Sequence, residues 1–354
     1  SSHAVSIDNV SDLIAFREAV NNSKGIYKGI ANASSGYKGI HFLLTADIDL
    51  DSLYKAGESW EPIGKSSSVS FKGCFYGGKH SISHLYIHAP AANYKGFFGY
   101  LDSALVEGVV LSTNDSIIGK QYCGGIAAYV NNLSTIRNCA NHAYVEGAST
   151  HVGGICGYIG KSVIEDCFNT GYITGNEKVG GIVGYTNGNS SVYSAVRYCY
   201  NSGQIHAAKA AGGIAGNTYS YTRIEQVLHS GQIWADTLIG SIIGQKSQKS
   251  VVYAYGYYDR QISPVGGSNN TDDSTIMGKG TMELCNGKLP LGFDSLYWQQ
   301  TAGLYPQLHS ADSSTASCIA VQPVFFASNN DISRIGIDFD LSGCDYIQWK
   351  SSSD

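Results

Sequence analysis

Charge is scarce in this sequence. Only 14% of its 354 residues are Asp, Glu, Lys or Arg, against a usual ~25%, and the net charge is -5 at pH 7 with His neutral. No basic field is available to neutralise phosphates, so nucleic acid is not an expected partner. Proline contributes 6 residues. No apolar run approaches the about 18 to 20 residues of a membrane-crossing helix, and no transmembrane span is expected. No signal-like segment heads the chain; one was either removed or never present, and a lipid anchor through a removed N-terminus fits the first case.

Catalytic and metal signatures are absent as well. The nine cysteines, Cys74, Cys123, Cys139, Cys156, Cys167, Cys199, Cys285, Cys318 and Cys344, show no CxxC or other zinc-type spacing. Their odd number at low density does not describe a disulfide scaffold. HExxH, GxSxG and P-loop patterns are missing. No cofactor, metal site or catalytic residue is therefore expected.

What is present is glycine and aromatic surface. Gly accounts for 43 of 354 residues, about 12% against an ordinary ~7%, and 25 Tyr, 11 Phe and 4 Trp accompany 43% hydrophobic residues. Disorder needs few aromatics and high charge; this composition can bury a core. At ~150 residues per domain the length suggests two domains or one long non-globular one.

A repeat decides between them. Gly96-Phe97-Phe98-Gly99, Gly125-Ile126-Ala127-Ala128, Gly154-Ile155-Cys156-Gly157, Gly181-Ile182-Val183-Gly184, Gly213-Ile214-Ala215-Gly216 and Ser241-Ile242-Ile243-Gly244 align without gaps, 29, 29, 27, 32 and 28 residues apart. A second block, Ile136-Arg137-Asn138-Cys139, Ile164-Glu165-Asp166-Cys167, Val196-Arg197-Tyr198-Cys199 and Ile224-Glu225-Gln226-Val227, keeps step with the first. Helical spacing is missing. Two and six residues after the Cys position stand Asn141 and Val145, Asn169 and Ile173, Asn201 and Ile205, then His229 and Ile233, an even spacing that puts them on one strand face. The odd step from Ile136 to Cys139 requires a corner or bulge. Strand, corner and strand, repeated in register, predict one elongated parallel β-helix over roughly residues 25 to 280.

In such a coil like stacks on like, ~4.8 Å apart. Ile126, Ile155, Ile182, Ile214 and Ile242 form an inward ladder, each side chain worth about 1.5–3 kcal/mol on full burial. Cys139, Cys167 and Cys199 form a column that Val227 continues, which favours inert buried thiols over disulfides or reactive cysteines. Asn141, Asn169 and Asn201 read as an amide ladder at a bend. Glu107, Arg137, Glu165, Arg197 and Glu225 alternate in sign and read as a register device.

Residues 1–94 read as an N-terminal cap with irregular first rungs. Leu13, Phe16 and Val20 share one face of a short helix with Ser11 or Asp12 as N-cap candidates, suited to closing the open end of the coil. Residues 95–280 hold the repeats, 281–310 a C-terminal cap, and 311–354 a Ser/Ala-rich linker with a partial β segment from Val324 to Asp354.

These units resemble a known family. Gly-Phe-Phe-Gly and Gly-Ile-Val-Gly, followed by Cys-Tyr-Asn-Ser-Gly, are similar to the GLUG repeat of bacterial surface proteins. Asp47-Ile48-Asp49-Leu50, Trp60 to Gly64 and Phe71 to Ile82 resemble the segment that precedes those repeats, and Trp298 to Leu308 the segment that follows. Ala128 and Ser241 depart from the motif Gly. The resemblance implies an all-β, right-handed parallel β-helix of the kind found in adhesins and in non-catalytic regions of surface peptidases, and it supplies no catalytic residue. Trp349-Lys350-Ser351-Ser352-Ser353-Asp354 is similar to a strand of bacterial immunoglobulin-like domains.

The function expected is a non-enzymatic extracellular or cell-surface adhesin, or a rigid spacer presenting a binding face to a host or environmental glycan or protein. The alternative is a carbohydrate-active β-helix enzyme, a polysaccharide lyase or hydrolase with an unrecognised site. His80, His84 and His88 lie in strand-like sequence and read as solvated rather than metal-binding; Asp272-Asp273 reads as a loop tip. The candidate ligand-binding residues are Tyr100, Tyr129, Tyr158 and Tyr185, which follow the Gly-x-x-Gly unit and stack on one flank. Asn217 and Gln245 continue the column, and the change to polar residues predicts that solvent reaches it. Alanine at Tyr129 and Tyr158 is then expected to abolish binding with little change in melting temperature.

Overall fold

The chain winds so that each rung lays its strands directly on those of the rung before. In a computed structural model, which describes residues 4–22, 24–32, 36–268 and 274–311, His41–Leu44 pairs in parallel with Cys74–Tyr76. The same column continues in register through Leu105–Glu107, Thr135–Arg137, Val163–Asn169, Ser194–Asn201, Ala215–His229 and Ile243–Asp259. Val5–Ile7 lies at the N-terminal side of this stack and Ile276–Lys279 at the other. The fold is an all-β parallel solenoid. Its coil begins at Val5, ahead of the helix and earlier than the expected residue 25, because Val5–Ile7 uses the otherwise open edge of His41–Leu44. The β segment from Val324 to Asp354, the linker from residue 312, Cys318, Cys344 and Asp272-Asp273 lie outside the described residues.

Two large sheets of parallel strands make the walls, one of eighteen strands and one of nine. The second carries Tyr86–His88, Ser116–Gly119, Tyr144–Gly153, Ile173–Gly180, Ile205–Ala207 and Ile233–Ala235. Inside, Ile126, Ile155, Ile182, Ile214 and Ile242 are fully buried and bonded backbone to backbone, Ile126 N to Ile155 O at 3.1 Å and Ile155 N to Ile182 O at 3.0 Å. The corner that the odd step demands is a left-handed residue in every rung: Asn138, Asp166, Tyr198, Gln226 and Tyr255 have φ of 50 to 56°.

Helix α1 (Val10–Asn21) closes the N-terminal end. Its N-cap is Asn9, not Ser11 or Asp12: the Asn9 side chain accepts the Asp12 N–H at 3.0 Å, so Asp12 falls in the first turn, where a carboxylate meets the helix dipole. Leu13, Phe16, Ala19 and Val20 are buried. The Phe16 ring sits 4.5 Å from Phe42 and 5.9 Å from Phe75, so the helix seals the apolar interior of the first rungs.

The amide ladder is continuous. Asn141 Nδ2 donates to Asn169 Oδ1 at 2.7 Å, and Asn169 Nδ2 donates to Asn201 Oδ1 at 2.7 Å. Each Nδ2 also donates to the carbonyl two residues on, Ala143, Gly171 or Gly203. The ladder starts beside the buried apolar column of Ile82 and Leu111 and ends on His229, whose Nδ1 lies 3.0 Å from Asn201 Nδ2. The charge column is in register and resolves into pairs: Arg137 bonds Glu107 at 2.8 Å and Arg197 bonds Glu165 at 2.7 Å. Partly exposed pairs contribute about 0.2–1 kcal/mol each, enough to bias register and little more.

Cys139, Cys167 and Cys199 are free and fully buried beneath Val227. Burial pushes the Cys167 and Cys199 thiols well above the ordinary range and Cys123 up to about 12, which removes the thiolate that would react. Treatment of the native protein with a thiol reagent, followed by peptide mass mapping, should therefore leave Cys123, Cys139, Cys156, Cys167 and Cys199 unmodified until the chain is unfolded. The half-buried Cys74 and Cys285 are the described positions where slow labelling is expected. Rapid native labelling within the Cys139 column would contradict the packing.

Segment 281–311 lies on the flank of the coil. Phe293, Trp298, Tyr305, Leu308 and Ala311 form one buried cluster with Ala140, Phe168, Tyr200, Leu228 and Tyr257, the outward residues that follow the Cys position and its equivalents. Tyr297 stacks on Tyr198 at 3.8 Å, and Ser310 reaches Asp166. Large apolar side chains on the outside of a rung need a cover, and this strap supplies it.

Candidate functional site

Strand alternation separates two sets of side chains after each Gly-x-x-Gly unit. Leu101, Val130 and Ile159 enter the core; Tyr100, Tyr129, Tyr158 and Tyr185 face outward, in register. The four expected residues are thus brought together. Their rings are stacked, with centroids 4.6 Å apart for Tyr100–Tyr129, 4.2 Å for Tyr129–Tyr158 and 5.5 Å for Tyr158–Tyr185. Tyr219 extends the row, 5.9 Å from Tyr185.

A second column flanks the first. Tyr94, Tyr122, His151 and Lys178 occupy left-handed corners with φ of 56 to 64°, which turns their side chains toward the tyrosine row. Tyr94 stacks on Tyr122 at 5.1 Å and Tyr122 on His151 at 4.9 Å. Between the columns the rings meet edge to face: Tyr122 against Tyr129 at 5.2 Å and 77°, His151 against Tyr185 at 4.8 Å and 85°. Lys178 Nζ sits 5.6 Å from the Tyr185 ring centre. Offset and edge-to-face aromatic pairs are each worth about 0.5–1.5 kcal/mol beyond their buried area, so this herringbone is rigid. Sequence reading missed the second column, although its signal was there: Tyr94 stands two places, and Tyr122, His151 and Lys178 three places, before the first glycine of a repeat unit, at intervals of 28, 29 and 27.

The chemistry on offer is that of faces, edges and neutral polar tips. Burial raises the Tyr100, Tyr122, Tyr129 and Tyr185 hydroxyls above the ordinary phenol range, so they stay protonated as donors. Desolvation, followed by the nearby Lys178 charge, lowers His151 to about 4, which leaves a neutral imidazole at pH 7.

Two expectations about this row change. Tyr129 packs against Tyr94, Tyr100, Tyr122 and Tyr158, so alanine there will cost stability. The polar continuation is only partly wetted: Gln245 is half-buried, whereas Asn217 is only 6% exposed and its Nδ2 donates to Gln245 Oε1.

Other candidates do not converge. His80 Nδ1 faces Asp47 Oδ1 at 3.3 Å, His84 Nδ1 faces Asp49 Oδ1 at 2.7 Å, and His88 stacks on Tyr86. Among the described residues no group of three or more His, Cys, Asp or Glu is placed to hold a metal ion. A cavity of about 390 Å³ is lined by Leu43, Tyr76, Gly78, Lys79, Glu107 and Asn138; the carboxylate in it, Glu107, is bonded to Arg137.

No family model matches the chain. Halomucin of Haloquadratum walsbyi (strain DSM 16790 / HBSQ001) is 32% identical over 157 residues, which are 43% of this chain and 2% of that protein. A solved structure from Bacteroides ovatus, a candidate immunoglobulin A1 protease by its name, matches with a TM-score of 0.62 at 20% identity, covering 88% of this chain and 94% of its own. At that identity the likeness is one of fold.

Proposed function

We propose that this chain is a non-enzymatic, cell-surface solenoid of the adhesin kind, akin to GLUG-repeat proteins, that holds its tyrosine columns toward glycans or proteins outside the cell. The observation that carries this reading is the two-column aromatic herringbone. Rings already locked by their neighbours lose little freedom when a partner arrives, so contact area converts to affinity at low entropic cost. The sequence likeness to halomucin, and the fold likeness to a protein whose name sets it against an antibody, support a place outside the cell. A glycosidase or lyase would need carboxylates gathered on neighbouring rungs, and here Glu107 and Glu165, in register, are bonded to Arg137 and Arg197.

The test is an array of glycans and matrix proteins probed with the parent chain, with Tyr129→Phe/Tyr158→Phe and with Tyr129→Ala/Tyr158→Ala. The Phe pair keeps the stacking and should melt with the parent while binding several-fold more weakly. The Ala pair should lose binding and about 1–3 kcal/mol of stability. An Ala pair that stays folded by circular dichroism and binds like the parent would remove the row from the site.

A further inference from the structure

The second sheet presents an outer face of different character. Val145, Ile173, Ile205 and Ile233 stack in register and point into the core. Their neighbours on either side therefore point outward in two lanes. One lane runs Tyr144, Tyr172, Gln204, Gln232; the other runs Glu146, Thr174, His206, Trp234. Trp234 is 46% exposed, whereas Trp60 and Trp298 are 3% and 1% exposed. Tyr172 is 39% exposed, with the Tyr144 ring 5.8 Å away. Large aromatic faces left in water on a repeated surface call for a partner.

The composition of the lanes narrows that partner. None of the eight positions is Lys or Arg, and the single carboxylate, Glu146, accepts the Tyr144 hydroxyl at 2.6 Å. The strip is thus close to neutral and offers nothing to a polyanion. The strip interleaves flat rings with amides, a hydroxyl and an imidazole. Rings for stacking beside short polar groups for hydroxyls, repeated every ~4.8 Å along the coil, suit a linear chain of sugar rings.

We infer that this face, centred on Trp234 and Tyr172, binds an uncharged linear polysaccharide laid across successive rungs. It is a separate surface from the tyrosine columns and stands without them. The experiment titrates the full chain with cellohexaose, xylohexaose and laminarihexaose, and with hexagalacturonate as the charged comparison, by calorimetry and tryptophan fluorescence. At least one neutral hexasaccharide should bind and perturb the emission of the exposed Trp234. Trp234→Ala and His206→Ala, both at exposed positions, should melt with the parent; Trp234→Ala should weaken binding about tenfold and His206→Ala several-fold. The inference is overturned if no neutral hexasaccharide binds at millimolar concentration, if Trp234→Ala binds like the parent, or if hexagalacturonate binds more tightly than all three neutral chains.

Discussion

Asn169→Ala should lower the unfolding free energy by about 3–5 kcal/mol. Asn169 is the middle member of a fully buried ladder, so its loss is felt on three sides. Asn141 Nδ2 loses the acceptor at 2.7 Å, Asn201 Oδ1 loses the donor at 2.7 Å, and the Gly171 carbonyl loses its bond at 3.1 Å. Each polar group left short in a dry interior costs about 1–3 kcal/mol, and water cannot follow into so small a space. The end of the ladder gives the contrast. Asn141 adjoins Leu111 on its other side; replacing it by Leu leaves Asn169 Oδ1 and the Ala143 carbonyl and N–H short of a partner but extends the apolar column, so the net loss should be smaller than at Asn169, about 1–3 kcal/mol. Urea unfolding of the two variants against the parent checks both values. Equal stability of Asn169→Ala and Asn141→Leu would mean that the ladder is not the cooperative unit described here.

The ladder also explains the motif glycines. A Cβ on Gly125 would lie 2.4 Å from Asn141 Oδ1, one on Gly154 2.5 Å from Asn169 Cγ, and one on Gly181 2.3 Å from Asn201 Cγ. In these three rungs the first glycine of the unit is therefore the space into which the asparagine of the same rung fits, and at Gly213 the space is taken by His229. Where the column has passed to Tyr258, the glycine is replaced by Ser241, whose hydroxyl lies 2.7 Å from that of Ser263. Glycine period and asparagine period were each legible in the sequence, because a solenoid converts interval directly into stacking. Their mutual contact was not, since periodicity says which residues share a column and is silent on which columns touch.

The same limit governs the rest. The tyrosine row was legible as a column, but the Tyr94, Tyr122 and His151 column became its neighbour only through left-handed corners, which non-glycine residues rarely adopt. The Trp234 strip sits on a sheet whose outward positions vary from rung to rung, so no repeat draws attention to it. The flank strap has no period at all. Its signal lay in Phe168, Tyr200 and Leu228, large apolar residues at outward positions that only a covering segment could make stable.

His229→Asn should remove part of the loss of stability that accompanies acidification. Burial holds His229 down to about 4, below its ordinary 6.5, so between these values the unfolded chain binds a proton that the folded chain refuses. Stability from this group is fully present above pH 6.5 and is lost as the pH falls toward 4, by roughly 3 kcal/mol across the window. Asparagine at 229 has no such titration, and the sequence His229-Ser230-Gly231 parallels Asn201-Ser202-Gly203, so the amide can take its place as the next step of the ladder. At pH 7 the variant should match the parent within about 1 kcal/mol. Desolvation lowers His142 and His151 in the same direction, and the variant should keep the share of the acid slope that they contribute. Urea unfolding at pH 7.0 and pH 4.5 measures the difference; an acid loss in His229→Asn as large as the parent's would show that the buried imidazole at the end of the ladder does not carry it.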